Sequence, residues 1–225
     1  MAAGADSGVI RRSTLRQQIA DALRDEVLAG RLPCGHAFTV KEIADQYGVS
    51  ATPVREALLD LCAQGLLVVE QHRGFKVHAF TADDFRAMVE ARTLITEGIF
   101  RGGAERALRD TPSEVLVSVR RRAEEAERAA RAGDLDVLIG YDLRFWRELS
   151  GIVGNPYISD FLDRVRVQTW MFAVPLLRRE DDLRGHLWQG HGALADALVR
   201  HDLREAQRLI AEYNAHSLAL VGTRG

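Results

Sequence analysis

Cysteine is scarce in this chain. Only Cys34 and Cys62 occur among 225 residues, and they form no CxxC pair. That excludes a disulfide framework and a zinc knuckle; Cys62 falls on an apolar helix face and reads as core. Long apolar runs are missing too. None approaches the roughly 18 residues of a membrane span, and the opening MAAGADSGVIRR lacks the apolar segment of a signal peptide. A cytoplasmic protein with no membrane partner is expected. No charge of one sign prevails: the net charge is −2, and residues 1–80 hold nine Lys or Arg against nine Asp or Glu. This excludes a global basic field for nucleic acid but leaves local patches open. Enzyme signatures are absent as well: no GxSxG, no P-loop, no GxGxxG after a strand, no HExxH. The adjacent acid pairs Asp181-Asp182 and Glu124-Glu125 do not face one another on a helix. The chain is therefore not read as an enzyme. What is present is 47% hydrophobic and 28% charged residues, ample for one large globular domain or two modest ones.

Residues 1–12 are small and unpatterned and are expected to be disordered. A helix then opens at Thr14, with Gln17 completing a capping box and Leu15, Ile19, Leu23 and Val27 forming one stripe. Gly30 ends it and Pro33 bars its continuation. A helix-turn-helix follows over 40–59. Thr39 and Glu42 make a second capping box, Gly48 supplies a left-handed stop, and Ser50 is placed to cap the next helix, with Pro53 in its first turn. The outer side of that helix carries Ser50, Ala51, Thr52 and Arg55. Hydroxyls and an arginine at a helix start suit phosphate capture and base reading in a major groove; an ordinary helical hairpin with a solvated face is the competing reading. Two short apolar runs, Leu66–Val69 and Phe75–Phe80, flank Glu70-Gln71-His72-Arg73-Gly74 and predict a β-hairpin with a compact basic tip. Helix, helix pair and hairpin together describe a winged helix-turn-helix over 13–80, with the wing at 66–80.

From Thr81 onward the period changes to helical. Residues 81–222 predict an all-α antiparallel bundle of about six helices. The first runs to about Leu108 with a break near Gly102-Gly103. The second opens at Thr111-Pro112 with a capping-box Glu114. The third follows Asp134, and the fourth spans Asn155 to just before Pro175. The fifth spans about Asp182 to Arg200, and the sixth opens at Asp202 with Glu205. The fold class is thus mainly α with one small hairpin. Four of these helices break their own apolar stripe with a polar residue at mid-length: Arg92, Asp142, His191 and Tyr213. An unpaired buried charge is costly, so these groups must meet one another, a metal or a ligand. A hydrogen-bonded structural network and a polar ligand cavity both satisfy that demand; the four together point to a cavity.

The segment GVSATPVREALLDLCAQGLLVVEQHRGFKV is similar to the DNA-binding domain of GntR-family bacterial transcription regulators, with their VS-x-TPVREAL, L-x-x-x-GL and wing-closing RG. IADALRDEVLAGRLPCG resembles that family's first helix and exit loop. HGALADALVRHDLREAQRLIAEY follows the closing pattern of the FCD ligand-binding domain of the FadR-like branch. The resemblance implies a homodimeric repressor that binds a two-fold related double-stranded DNA operator, with a small organic acid or acyl-type effector in the helical domain altering DNA affinity. It maps DNA contacts to Lys41, Ser50, Thr52, Arg55, His72, Arg73 and Gly74, and the effector site to Arg92, Asp142, Trp146, His191 and Tyr213. Two departures stand out. Ala51 occupies a position where the family usually has arginine, so a relaxed or shifted operator preference is expected. Of the aspartate and three histidines that hold a divalent metal in many FCD domains, only Asp142 and His191 match; Trp146 and Tyr213 occupy the other two positions, and His216 is an uncertain substitute. No tightly held metal and no other cofactor are therefore expected. The rival reading is a metabolite-binding or enzymatic helical domain whose winged helix makes protein contacts.

Overall fold

The computed structural model describes residues 14–71 and 73–222. The expected disorder of residues 1–12 and the wing residue His72 lie outside the described residues. Helix α1 (Leu15–Leu28) starts at Thr14, whose side chain accepts from the Gln17 amide, and buries Ile19, Leu23, Val27 and Leu28. Helix α2 (Val40–Tyr47) carries the complete Thr39–Glu42 capping box and stops at Gly48 in the left-handed region. Helix α3 (Ala51–Ala63) buries Val54, Ala57, Leu58 and Leu61. Ser50 sits at its N-cap, but the expected capping bond is not made.

The wing is a hairpin of β2 (Leu67–Glu70) and β3 (Gly74–Val77), with Leu67 opposite Val77 and Glu70 opposite Gly74. A third strand, β1 (Ala37–Phe38), adds to the far edge of β3 in the order β1-β3-β2. Sequence reasoning missed it because two residues are too few to show alternation. Gly74 has φ +100°, and a Cβ there would stand 2.5 Å from the Phe38 carbonyl oxygen, so this position admits only glycine.

The bundle holds seven helices among the described residues: α4 (Ala82–Gly102), α5 (Ala104–Arg109), α6 (Ser113–Ala132), α7 (Leu135–Ile152), α8 (Pro156–Leu177), α9 (His191–Val199) and α10 (Leu203–Gly222). The break at Gly102-Gly103 separates α4 from α5. The Thr111–Glu114 capping box does not form: the Thr111 hydroxyl donates back to the Ala107 carbonyl, and α6 begins after Pro112 without a side-chain cap. Helix α8 runs through Pro175 rather than ending before it. Proline cannot bond the carbonyl four residues back, and that carbonyl, on Met171, instead accepts from the Cys34 thiol at 3.7 Å. The helix expected over Asp182–Arg200 is half as long. Residues 182–190 are non-helical, with a turn at 184–186, Gly185 at φ +79° and the Asp182 carboxylate accepting from the Arg184 amide, so His191 opens α9 instead of lying midway along it.

Helix α8 joins the two halves. Val167, Met171, Val174 and Leu177 share one core with Leu23, Val27, Leu58 and Leu61 of α1 and α3. Gln168 Nε2 donates to the Gln64 carbonyl at 2.8 Å, tying α8 to the C-cap of α3. Arg178 pairs with Asp136. A second core, around Phe145, Trp146, Leu194, Leu198 and Ile210, fills the distal bundle.

Candidate functional site

On the winged domain, Lys41, Ser50, Ala51, Thr52, Arg55 and Arg73 are all exposed. Lys41, Ala51, Arg55 and Gly74 line one shallow depression between α2, the start of α3 and the hairpin. Neither Arg55 nor Arg73 is ion-paired among the described residues. Lys76, behind the tip, is tied to Glu70 at 2.8 Å, which offsets part of the wing's positive charge. The tip residues Gln71 and Arg73 are exposed rather than packed on the bundle, contrary to what a protein-docking wing turned onto its own second domain requires.

Inside the bundle, all five residues expected at an effector site are buried. Asp142, on α7, is 0% exposed and saturated with donors. Its Oδ1 accepts from Trp146 Nε1 at 2.9 Å and from His191 Nε2 at 2.9 Å, and its Oδ2 accepts from Trp170 Nε1 at 2.8 Å. Burial pushes this carboxyl up, but the His191 bond, nearby Arg166 and the Trp170 N–H outweigh it and hold the group below the ordinary carboxylate range. Arg92, on α4, donates from Nε to Asn214 at 2.8 Å and from Nη2 to Ser217 at 3.2 Å. Its guanidinium lies 4.8 Å from the Tyr213 ring centroid, and burial pulls its basicity down. Trp146 and Tyr213 pack ring to ring at 4.8 Å, with Trp188 5.0 Å from Tyr213. Burial also pushes the Tyr213 hydroxyl up, and the Asp142 charge adds to that.

Asp142, His191 and Tyr213 line a first cavity of about 50 Å³ together with Trp170, Trp188 and His216. These residues do not fit a divalent cation. Both carboxylate oxygens already accept N–H bonds, two of the four family positions hold aromatic rings, and among the described residues no three His, Cys, Asp or Glu side chains group as a metal ion requires. His216 borders the cavity without joining such a group, and burial lowers its basicity.

Three participants escaped the sequence reading. Trp170 and Asn214 are uncharged, and nothing in their spacing marks them as partners of Asp142 and Arg92. Arg166 sits in the run DRVRVQ, which looks like a solvated face, yet it is 2% exposed. The available signal was its spacing, four after Leu162 and three before Thr169, which places it on the buried stripe of α8.

Residues 15–77 match the family of bacterial regulatory proteins called gntR, and residues 87–216 match the FCD domain. The chain is 28% identical over 211 residues to the "Probable D-xylose utilization operon transcriptional repressor" of Paenarthrobacter nicotinovorans, covering 94% of this chain and 90% of that one. It is 25% identical over 221 residues to the HTH-type transcriptional regulator McbR of Escherichia coli K12, covering 96% of each. The solved structure of E. coli McbR/YncC superposes with a TM-score of 0.80 at 21% identity, over 95% of this chain and all of the other, a likeness of fold. Among the described residues no helix is long and apolar enough to cross a membrane.

Proposed function

We propose that this chain, which belongs to the gntR family of bacterial regulatory proteins and carries an FCD domain, is a homodimeric, sequence-specific repressor released or engaged by a small organic acid. Regulators of this family bind DNA through the winged helix-turn-helix and an effector through the FCD domain. The observation that carries the reading is the exposed, unpaired Arg55 on the outer face of α3, beside an equally exposed Arg73 on the wing. Such a helix start offers amides and hydroxyls to phosphates and its arginine to a base edge, while the wing reaches the neighbouring phosphates. Ala51 removes one such contact. A dimer places two of these faces on half-sites one helical turn apart; large apolar side chains left exposed on the bundle, Leu94 at 59% and Tyr157 at 86%, are candidates for its interface. Such a regulator works in the cytoplasm, where the bacterial chromosome lies.

The effector reading rests on two buried arginines in the bundle and is independent of a metal, because Asp142 is held by two indoles and an imidazole. The physical link to the DNA face is α8. One side of it carries Arg166 and Trp170 into the bundle interior, and the other carries Gln168 and Met171 onto the winged domain. A ligand that shifts α8 by a fraction of its 1.5 Å rise per residue therefore moves the end of α3. A mobility-shift assay on the chain's own upstream DNA tests the function. A two-fold duplex is expected to bind with a steep salt dependence, and a flat salt response contradicts it.

A further inference from the structure

Arg166 is buried between Leu162 and Thr169 on α8, with its guanidinium stacked 3.7 Å above the Trp146 ring. Its Nε and Nη1 have no hydrogen-bond partner. A buried guanidinium with two bare nitrogens is costly, and an anion that meets them offsets that cost. The Tyr213 hydroxyl engages the guanidinium but is neutral, and no carboxylate beside it is free. Asp142 is the only carboxylate among the buried polar groups of the described residues, and its two oxygens are already taken by three N–H donors. Asp163, one turn back, is engaged by Arg147 at 2.9 Å. Arg92 is equally buried and donates to neutral Asn214 and Ser217. The bundle interior thus encloses two guanidinium groups and one carboxylate. Burial and the neighbouring Arg92 push the Arg166 guanidinium down to about 10, still protonated at neutral pH.

Arg166 lines a second cavity of about 70 Å³, which shares no residue with the one beside Asp142. Trp146 forms part of its wall. Apart from Arg166, Thr96 and Ser150 the lining is apolar, with Ile99, Phe100, Leu108, Leu149, Leu198 and Ile210. This is a largely apolar chamber with one cation in its lining. We propose that it binds a small monocarboxylate with an apolar body, the carboxylate accepting from the open donors of Arg166 and the body filling the apolar end. The class follows from the chemistry. A carboxylate cancels the charge and makes charge-assisted hydrogen bonds. A sugar acid would lose the hydration of its hydroxyls against these walls without gaining partners. At roughly 10–15 Å³ per water-sized sphere, the chamber takes about five or six heavy atoms as it stands, far fewer than a coenzyme ester. The assignment deepens the effector reading proposed above and rests on it.

Calorimetry on the full chain tests it, with propanoate, butanoate and 2-methylpropanoate as probes, each against its uncharged amide, and inorganic phosphate as a plain anion. At least one acid is expected to bind one-to-one, its amide at least tenfold more weakly, and phosphate not at all. Arg166→Met is expected to abolish binding while still unfolding in one cooperative transition. Ala107→Leu, at the half-buried rim of the chamber, is expected to abolish binding with Arg166 still in place. The inference is overturned if no acid binds at millimolar concentration, if an amide or phosphate binds as well as the acids, or if either variant binds normally. Because binding is read without DNA, the two readings fail separately. A chain that binds the acid but no operator loses the regulator reading, whereas one released from its operator only by some other compound loses this one.

Discussion

Arg55 and Arg166 are the same side chain in opposite settings. Arg55 stands in water on the outer face of α3, where an unpaired guanidinium costs little and can wait for DNA. Arg166 stands inside the bundle, 2% exposed, where two nitrogens without a partner are costly. The outer face is open to water and salt; the inner one lies beside a small apolar chamber, where the proposed ligand has to fit and bring a negative charge. In the proposed function, sensing and DNA reading would use one chemistry, guanidinium meeting anion, at two depths, with α8 between them.

The largest effect that bears on this comparison is expected at the inner site. Asp142→Ala leaves Trp146, Trp170 and His191 donors buried without an acceptor, and a loss of about 3–5 kcal/mol in chemical denaturation is expected. The same carboxyl sets an acid dependence. Its folded value lies below the ordinary one, so its contribution is complete above the ordinary carboxylate range and is lost as pH falls through the folded value. Asp142→Asn should flatten stability curves taken from neutral pH down into that acid range. Gly74→Ala comes next. It combines a left-handed φ with a Cβ 2.5 Å from the Phe38 carbonyl, and about 2 kcal/mol of destabilisation, read by thermal melting, is expected. Gln168→Ala removes the bond to the Gln64 carbonyl. About 1 kcal/mol of stability is expected to go, and the effector's influence on DNA affinity should weaken while effector affinity in calorimetry holds. The smallest effect belongs to Ala51→Arg, which restores the family's side chain at the start of α3. Operator affinity in titrations should rise by up to about tenfold, near 1 kcal/mol.

The winged domain was legible because its punctuation is local. Thr39, Glu42, Gly48 and the apolar runs around the hairpin each act on neighbours within four residues, and the structure forms each of those features. Strand β1 was not, since it exists only through its pairing with β3. In the bundle, Arg92, Asp142, His191 and Tyr213 showed themselves by interrupting apolar stripes, and all four are buried. How they are satisfied depends on chain crossings that spacing does not encode: Asp142 meets Trp170 from 28 residues away, and Arg92 meets Asn214 from 122. Arg166 was hidden by the charges beside it. The fifth helix was overestimated because Leu183, Leu187 and His191 keep helical spacing through a segment that Gly185 and Asp182 turn instead.

The central claim is that α3 reads a two-fold operator through Arg55. Fluorescence anisotropy with a labelled duplex from the chain's own upstream region, comparing wild type with Arg55→Ala at fixed salt, tests it most directly. Specific binding is expected to weaken by about 10- to 100-fold in the variant, the 1–3 kcal/mol of one base-reading arginine, with non-specific binding little changed. Equal affinity of the two proteins for that duplex would contradict it.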